Sequence, residues 1–392
     1  MDTKLWRVAI LKDTSKPMLG LHALHVAFRG LPNVEVVAHV DSNPADIEKK
    51  MAATQARRHY TDFIEMLDQE HPDIVVLCSR HPGDHFTQIQ AAAERGFHVY
   101  CEKPMTADLT EADRIVDLVE RHKIKLCVAH PARYSLPYLT MKEMIRRGDI
   151  GTPFTAYGRG KCDRRGGGED LMVLGTHILD LQAFLFGPPE RVWADVKING
   201  RPIVPGDPAE TVEPIGLAAG DDLFACVNYP NGVRGVFESR RGLAGVSQGV
   251  VQMGLAVAGT EGMLAMPFND AAQPVARLRR CRTTSPLAWG VDYEEVPLTE
   301  TRATPGAEPL DFALCGQPDI PQAPFFLEAN RFAVLDLMQA IAEDRQPVSN
   351  VWTARATLEM IYGIYASSLG RSAIPFPLRD RVNPLEHVLA KP

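Results

Sequence analysis

Residues 72–104 read PDIVVLCSRHPGDHFTQIQAAAERGFHVYCEKP, and the order of their patterns decides the fold. IVVLC at 74–78 is unbroken apolar sequence, as a strand buried on both faces requires. GDHFTQIQAAAERG at 83–96 has helical spacing and a glycine stop at Gly96. FHVYC at 97–101 is apolar again. Two buried strands joined by a helix make a parallel β-α-β unit. The polar segments at the strand ends, SRHP and EKP, then fall on the side where such sheets bind ligands.

The same alternation extends in both directions. WRVAIL at 6–11, VEVVAHVD at 34–41 and IKLCVA at 124–129 are further strands. PMLGLHALHVAF at 17–28 and TEADRIVDLVERHK at 110–123 carry helical periodicity. In the latter, Thr110 and Asp113 stand at capping-box spacing, while Ala112, Ile115, Val116 and Val119 share a face. Residues 1–129 therefore read as a Rossmann-like α/β domain with a parallel sheet that binds ligands at the carboxyl ends of its strands. Beyond it, YSLPYLTMKEMIRRG is a helix closed by Gly148, and strand-like runs come at 153–161, 190–198, 222–229, 233–240, 249–258 and 275–282. Asn231-Gly232 marks a hairpin turn. Strands in succession predict a large, mostly antiparallel sheet. With helices at 328–344 and 353–370 they make residues 130–392 an α+β domain. The stretch 299–324, rich in Pro, Gly, Thr and Ala, reads as a long surface loop.

The chain has 392 residues, more than one ordinary core accommodates, in keeping with two domains. A net charge of −7 with no Lys/Arg run argues against nucleic acid as a partner. No apolar run approaches the roughly 18 residues of a membrane span, and the N-terminal apolar piece is shorter than a signal-peptide core. The 7 cysteines, without C-x-x-C spacing, imply reduced thiols and a cytoplasmic location.

The first turn, ILKDTSKPMLGLH at 10–22, keeps only Gly20 of the usual glycine fingerprint. Thr14 and Ser15 offer hydroxyls and N–H groups to phosphates, with Lys12 or Lys16 adding charge; the alternative is a solvated polar loop. Asp41 ends the second strand, where an acid holds the ribose diol of NAD and repels the 2′-phosphate of NADP; its competing duty is to cap the helix after Pro44. Ser79, His81, His85, Glu102 and Lys103 join Thr14, Ser15 and Asp41 as expected cofactor contacts. Pro104 restricts the backbone of Lys103 and so directs its side chain, which either holds a substrate hydroxyl or forms an ion pair with Glu102. In RRGGGEDLMVLGTHILDL at 164–181, a helix from Asp170 puts Asp170, His177 and Asp180 on one face. That face suits proton relay, metal binding or a satisfied interior. Three side chains from one helix, without a clear fourth ligand, leave no metal expected.

The block ending in EKP, AHPARY at 129–134, GTHILD at 175–180 and the closing helices before IPFPL together resemble the Gfo/Idh/MocA family over nearly the whole chain. This is the glucose–fructose oxidoreductase and inositol dehydrogenase family. The resemblance implies NAD as cofactor, with NADP disfavoured, and a sugar, glycoside or cyclitol as substrate. It implies Lys103 as the catalytic lysine, His177 as acid/base, and Arg133, Tyr134, Asp170 and Asp180 around the substrate. It implies a homodimer or homotetramer joined through the antiparallel sheet. Two positions depart from the family pattern. The first turn lacks glycines, and Val173 stands where the family often has an aspartate one turn before the histidine; Asp170 or Glu169 is the expected substitute. Besides hydride transfer to exchangeable NAD, two activities fit: glycoside cleavage through a transient keto-sugar with NAD retained, and redox-inactive sugar binding.

Overall fold

The computed structural model describes residues 4–16, 22–209, 211–243, 253–267, 278–283, 293–298, 302–314 and 324–386. The chain divides into two compact units. The first takes Met1–Thr106, Glu111–Tyr134 and Thr301–Ala354; the second takes Ala107–Thr110, Ser135–Glu300 and Arg355–Pro392. The helices, in chain order, are α1 Ile47–Thr54, α2 Phe63–Glu70, α3 Pro82–Ala93, α4 Leu109–His122, α5 Leu136–Arg147, α6 Thr176–Phe186, α7 Pro324–Ala342 and α8 Val351–Gly370.

In the first unit, β1 (Trp6–Leu11), β2 (Val34–Val40), β3 (Arg58–Tyr60), β4 (Ile74–Leu77), β5 (His98–Cys101) and β6 (Leu126–Val128) form one parallel sheet in the order β3-β2-β1-β4-β5-β6. Progression runs one way from β1 to β2 and the other way from β1 to β4, so the ends of β1 and β4 form a topological switch point. The apolar runs became strands because every residue of β4 is buried, and Ala112, Ile115, Val116 and Val119 of α4 are buried as their spacing required. Pro82 starts α3, where a missing N–H costs nothing.

Two expectations change here. The helix read at 17–28 is absent from its described part: residues 17–21 lie outside the described residues, and beyond them comes only a single 3₁₀ turn, Leu24–Val26. All three of its residues are buried, so the segment fills the core and offers no long helix N-terminus to a pyrophosphate. The single boundary expected after residue 129 also differs from the observed division, because the chain returns to the first unit at 301–354. Ala329, Ala333, Val334 and Leu337 of α7 join Val8, Ile10, Val76 and Tyr100 in one core.

In the second unit a ten-stranded sheet runs β15-β14-β13-β12-β7-β11-β10-β8-β16, with β9 beside β8. The strands are β7 Pro153–Arg159, β8 Arg191–Ile198, β9 Arg201–Pro202, β10 Asp222–Asn228, β11 Arg234–Arg240, β12 Gly254–Gly259, β13 Gly262–Pro267, β14 Arg279–Cys281, β15 Glu294–Glu295 and β16 Ile374–Pro375. Among the described strands of this sheet only β7 and β11 pair in parallel. Asn231 and Gly232, at φ 63° and 77°, supply the left-handed turn between β10 and β11. The expected strands at 249–258 and 275–282 appear as β12 and β14, and residues 249–252 and 275–277 lie outside the described residues. β13 was not anticipated. One sheet face is buried through Val192, Ala194, Val196, Leu223, Ala225 and Val227, while Tyr157, Trp193 and Phe224 stand exposed on the other. Among the described residues no helix is long and apolar enough to cross a membrane.

Candidate functional site

At the switch point of the first unit, Asp41 is fully buried just past β2. Its Oδ1 accepts from the N–H of Thr14 (3.0 Å) and of Asn43 (2.9 Å). Its Oδ2 accepts from Thr14 Oγ1 (2.8 Å) and pairs with Lys50 Nζ (2.8 Å). Burial pushes this carboxyl up, but the Lys50 ammonium and the Thr14 and Asn43 donors outweigh it and hold it below the usual range. A carboxylate has about four lone-pair sites, and here all four face protein donors. Asp41 as found therefore braces the first turn, and a ribose diol must displace one of these partners to reach it. It is not the cap of α1, whose preceding residue Asp46 makes no side-chain cap. Ser15 is exposed, and its N–H donates to Asp13 Oδ1 (2.9 Å). Burial pushes the nearby Lys12 ammonium down.

At the ends of β4 and β5 a second network forms. Ser79 Oγ donates to Asp84 Oδ2 (2.8 Å), whose Oδ1 pairs with Lys16 (2.7 Å). His81 is half-buried, and its N–H donates to Ser79 Oγ (3.1 Å). His85 is fully buried, with Nε2 against the Ser79 carbonyl (2.9 Å) and Nδ1 against those of Pro104 and Met105 (3.0 and 3.1 Å). It braces the two strand-end loops from inside. Glu102 is held in the same way. Its Oε1 accepts from the N–H of Lys103 (3.0 Å) and meets His22 Nδ1 (2.8 Å). Burial pushes this carboxyl up, but His22, Lys103 and Arg80 hold it below the usual range. Burial pushes His22 down, so its neutral ring donates from Nδ1 to the carboxylate. Lys103 itself is 3% exposed, on a turn fixed by these bonds.

Arg133 and Tyr134 were expected at the substrate. Tyr134 is buried, its hydroxyl donating to Asp336 Oδ2 (2.9 Å) and accepting from the Ser349 N–H (3.0 Å). It ties β6 to α7, and desolvation pushes its phenol up. Arg133 reaches the Val348 carbonyl (3.4 Å).

In the second unit, His177 and Asp180 lie on α6, three residues apart and both buried. Thr357 Oγ1 donates to Asp180 Oδ1 (3.5 Å). Asp170 does not join their face. Leu171–Gly175 forms a π-turn with i→i+5 bonding, and one extra residue in a turn rotates the rest of the helix by roughly 100°. Asp170 caps that turn: Oδ1 accepts from the Leu174 N–H (3.1 Å) and Oδ2 from the Lys161 N–H (2.6 Å). Burial pushes its carboxyl up, Lys161 and the N–H bonds notwithstanding. The other candidate to replace an acid at Val173, Glu169, accepts from the N–H groups of Val212 (3.1 Å) and Glu213 (3.0 Å). Both acids hold backbone.

The family model described as "Oxidoreductase family, NAD-binding Rossmann fold" matches residues 18–130, and the "GFO/IDH/MocA C-terminal domain" matches residues 138–265. The chain belongs to the Gfo/Idh/MocA family. Over 181 residues it is 34% identical to the D-apiose dehydrogenase of Paraburkholderia graminis, covering 43% of this chain and 47% of that protein. Over 219 residues it is 25% identical to the myo-inositol 2-dehydrogenase of Thermotoga maritima, covering 53% and 61%. The chain spans about half the length of the first curated relatives it matches. A solved levoglucosan dehydrogenase, in complex with NADH and levoglucosan, superposes with a TM-score of 0.70 at 19% identity, over 95% of this chain and all of that one, and so shares its fold.

For a Gfo/Idh/MocA chain, the departures at the first turn and at Val173 now have structural content. The glycines are replaced by a turn held on Asp41 by Thr14 and Lys50. Asp170 and Glu169, the acids expected to stand in at Val173, each accept two main-chain N–H groups. Lys50 and His22 went unread in the sequence. Lys50 sits on an ordinary polar helix, and His22 is one residue of an apolar run; neither carries a motif.

Proposed function

We propose that this chain is a nicotinamide-dependent dehydrogenase or reductase that moves a hydride between NAD and a hydroxyl-bearing carbon of a sugar, glycoside or cyclitol. The observation that carries the reading is Lys103, a buried lysine on a strand-end turn whose Glu102 is already engaged by its backbone N–H and His22. A lysine held in this way is suited to a substrate hydroxyl and its proton. His177 is the second proton-handling group, Asp180 orients the substrate, and the nicotinamide supplies the redox chemistry. The curated relatives named for D-apiose and myo-inositol support the substrate class. Six described cysteines, all unpaired, support a cytoplasmic location. The exposed sheet face bearing Tyr157, Trp193 and Phe224 supports a homodimer or homotetramer.

Titration with NAD and NADP, then a panel of sugars and cyclitols read by NADH formation, tests the activity. Lys103→Ala is expected to lower turnover roughly a hundred- to ten-thousandfold while NAD affinity stays unchanged. Unaltered turnover would remove Lys103 from the chemistry. A second reading, redox-inactive sugar binding, is favoured by the saturation of Asp41. Failure of both nucleotides to bind at millimolar concentration would select it.

A further inference from the structure

Where the chain leaves β1 and β2 and enters α1, Thr14, Asp41, Asn43 and Lys50 close into one polar network, all within the first unit. Lys50 projects from α1 with its side chain 17% exposed. Its Nζ donates to Thr14 Oγ1 (2.8 Å) and to the Asn43 carbonyl (2.9 Å), and pairs with Asp41 Oδ2 (2.8 Å). Those partners engage all three N–H groups of an ammonium. Thr14 Oγ1 donates to Asp41 Oδ2 (2.8 Å) and accepts from Lys50 and from Asn43 Nδ2 (3.2 Å), so its donor and both lone pairs are engaged too. The N–H groups of Thr14 and Asn43 on Asp41 Oδ1 complete the set. Beside it, the Ser42 hydroxyl is held by Asp13 (2.9 Å to each oxygen).

An acid at the end of the second strand of such a sheet acts on a dinucleotide in two ways. It accepts the hydroxyls of the adenosine ribose, and its charge repels a phosphate on the 2′ oxygen. Lys50 weakens both. A ribose hydroxyl reaches Asp41 Oδ2 only by breaking the bond from Thr14 or Lys50, and separating the ion pair strands a desolvated charge. The ammonium at 2.8 Å also cancels the charge that a 2′-phosphate would meet at Asp41. Lys12 and Asp13, the other charged residues between β1 and Thr14, are one of each sign and leave that balance unchanged.

We infer that Lys50 sets the nucleotide preference of this chain: with Thr14 it fills the lone pairs of Asp41 and neutralises its charge, so NAD is bound without the strong rejection of NADP that a bare acid at this position gives. The inference deepens the dehydrogenase reading and rests on it for NAD as the ligand. Preference is a difference of two affinities, and one residue acts here on both in opposite directions.

The test is calorimetric titration with NAD and with NADP of wild type, Lys50→Met, Lys50→Arg and Thr14→Val, each checked for folding by circular dichroism. Lys50→Met is expected to tighten NAD and weaken NADP, widening the ratio of the two affinities about tenfold or more. Lys50→Arg keeps the cation and is expected to stay near the wild-type ratio. Thr14→Val is isosteric, frees one lone pair of Asp41 and leaves the charge alone, so it is expected to tighten NAD about threefold or more; it decides the matter if Lys50→Met does not fold. An unchanged ratio or an equal loss of both nucleotides in Lys50→Met, or weaker NAD binding in Thr14→Val, would overturn the inference and leave the dehydrogenase reading standing. Wild type that binds neither nucleotide, with NAD binding gained in Lys50→Met or Thr14→Val, would support the role of Lys50 and refute the dehydrogenase reading. No binding in any of the four proteins would overturn both.

Discussion

Asp41 in the first unit and Asp170 in the second are the same residue in two electrostatic settings. Both are fully buried, both lie where a ligand contact was expected, and both face main-chain donors. Asp41 also has an ammonium at 2.8 Å and a threonine hydroxyl at 2.8 Å, and its carboxyl is held down. Asp170 has no ion pair among the described residues, and its carboxyl is pushed up. Burial alone therefore does not decide how a carboxylate titrates; a directly bonded cation reverses the sign.

Asp41→Ala should show the largest effect. It leaves Lys50 facing no carboxylate and two N–H groups unpaired, at a cost of about 4 kcal/mol by urea unfolding. Adding Lys50→Met should recover part of that loss; no recovery would mean that the ion pair is not what distinguishes Asp41. Gly160→Ala comes next, at about 2 kcal/mol, because the new Cβ would meet Asp170 Oδ2 and lie 2.8 Å from the Phe237 ring. A neutral Gly160→Ala would show the Asp170 cap to be slack. Asp170→Asn should cost least at neutral pH, about 1 kcal/mol, since it gives up one acceptor but also removes a buried charge.

The pH dependence should be opposite at the two sites. Asp41 has a folded pKa below the unfolded value of 3.8, so its contribution is full above 3.8 and is lost as pH falls through the lower folded value. Asp170 has a folded pKa above 3.8, so the folded state holds the extra proton, and stability declines as pH rises from 3.8 through that raised value. The difference between wild type and Asp170→Asn should therefore shift toward wild type as pH falls. Parallel pH profiles for the Asp41 and Asp170 variants would erase the contrast.

The legible parts of the sequence were those where one pattern had one outcome. IVVLC and FHVYC could only be buried strands, and Asn231-Gly232 supplied the left-handed turn that its hairpin needed. The π-turn was hidden because Leu171–Leu174 and Ile178–Leu179 are buried on all sides, so periodicity offers no phase to betray an extra residue. The face shared by Asp170 and His177 failed for that reason. The three glycines at 166–168 permit close backbone approach, and Gly166 and Gly168 do admit the Arg240–Arg241 and Ala219 backbones. The 3₁₀ turn at Leu24–Val26 went unread because an apolar run of that length suits a helix equally well.

The return of α7 to the first sheet has a consequence for the making of the protein. The nucleotide-binding unit is interrupted by the second unit and completed only when Ala329, Ala333, Val334 and Leu337 arrive. On the ribosome, its first six strands must wait through more than a hundred residues of intervening synthesis before that core can close. A fragment ending at residue 134 would emerge with the apolar positions that α7 covers still open to water.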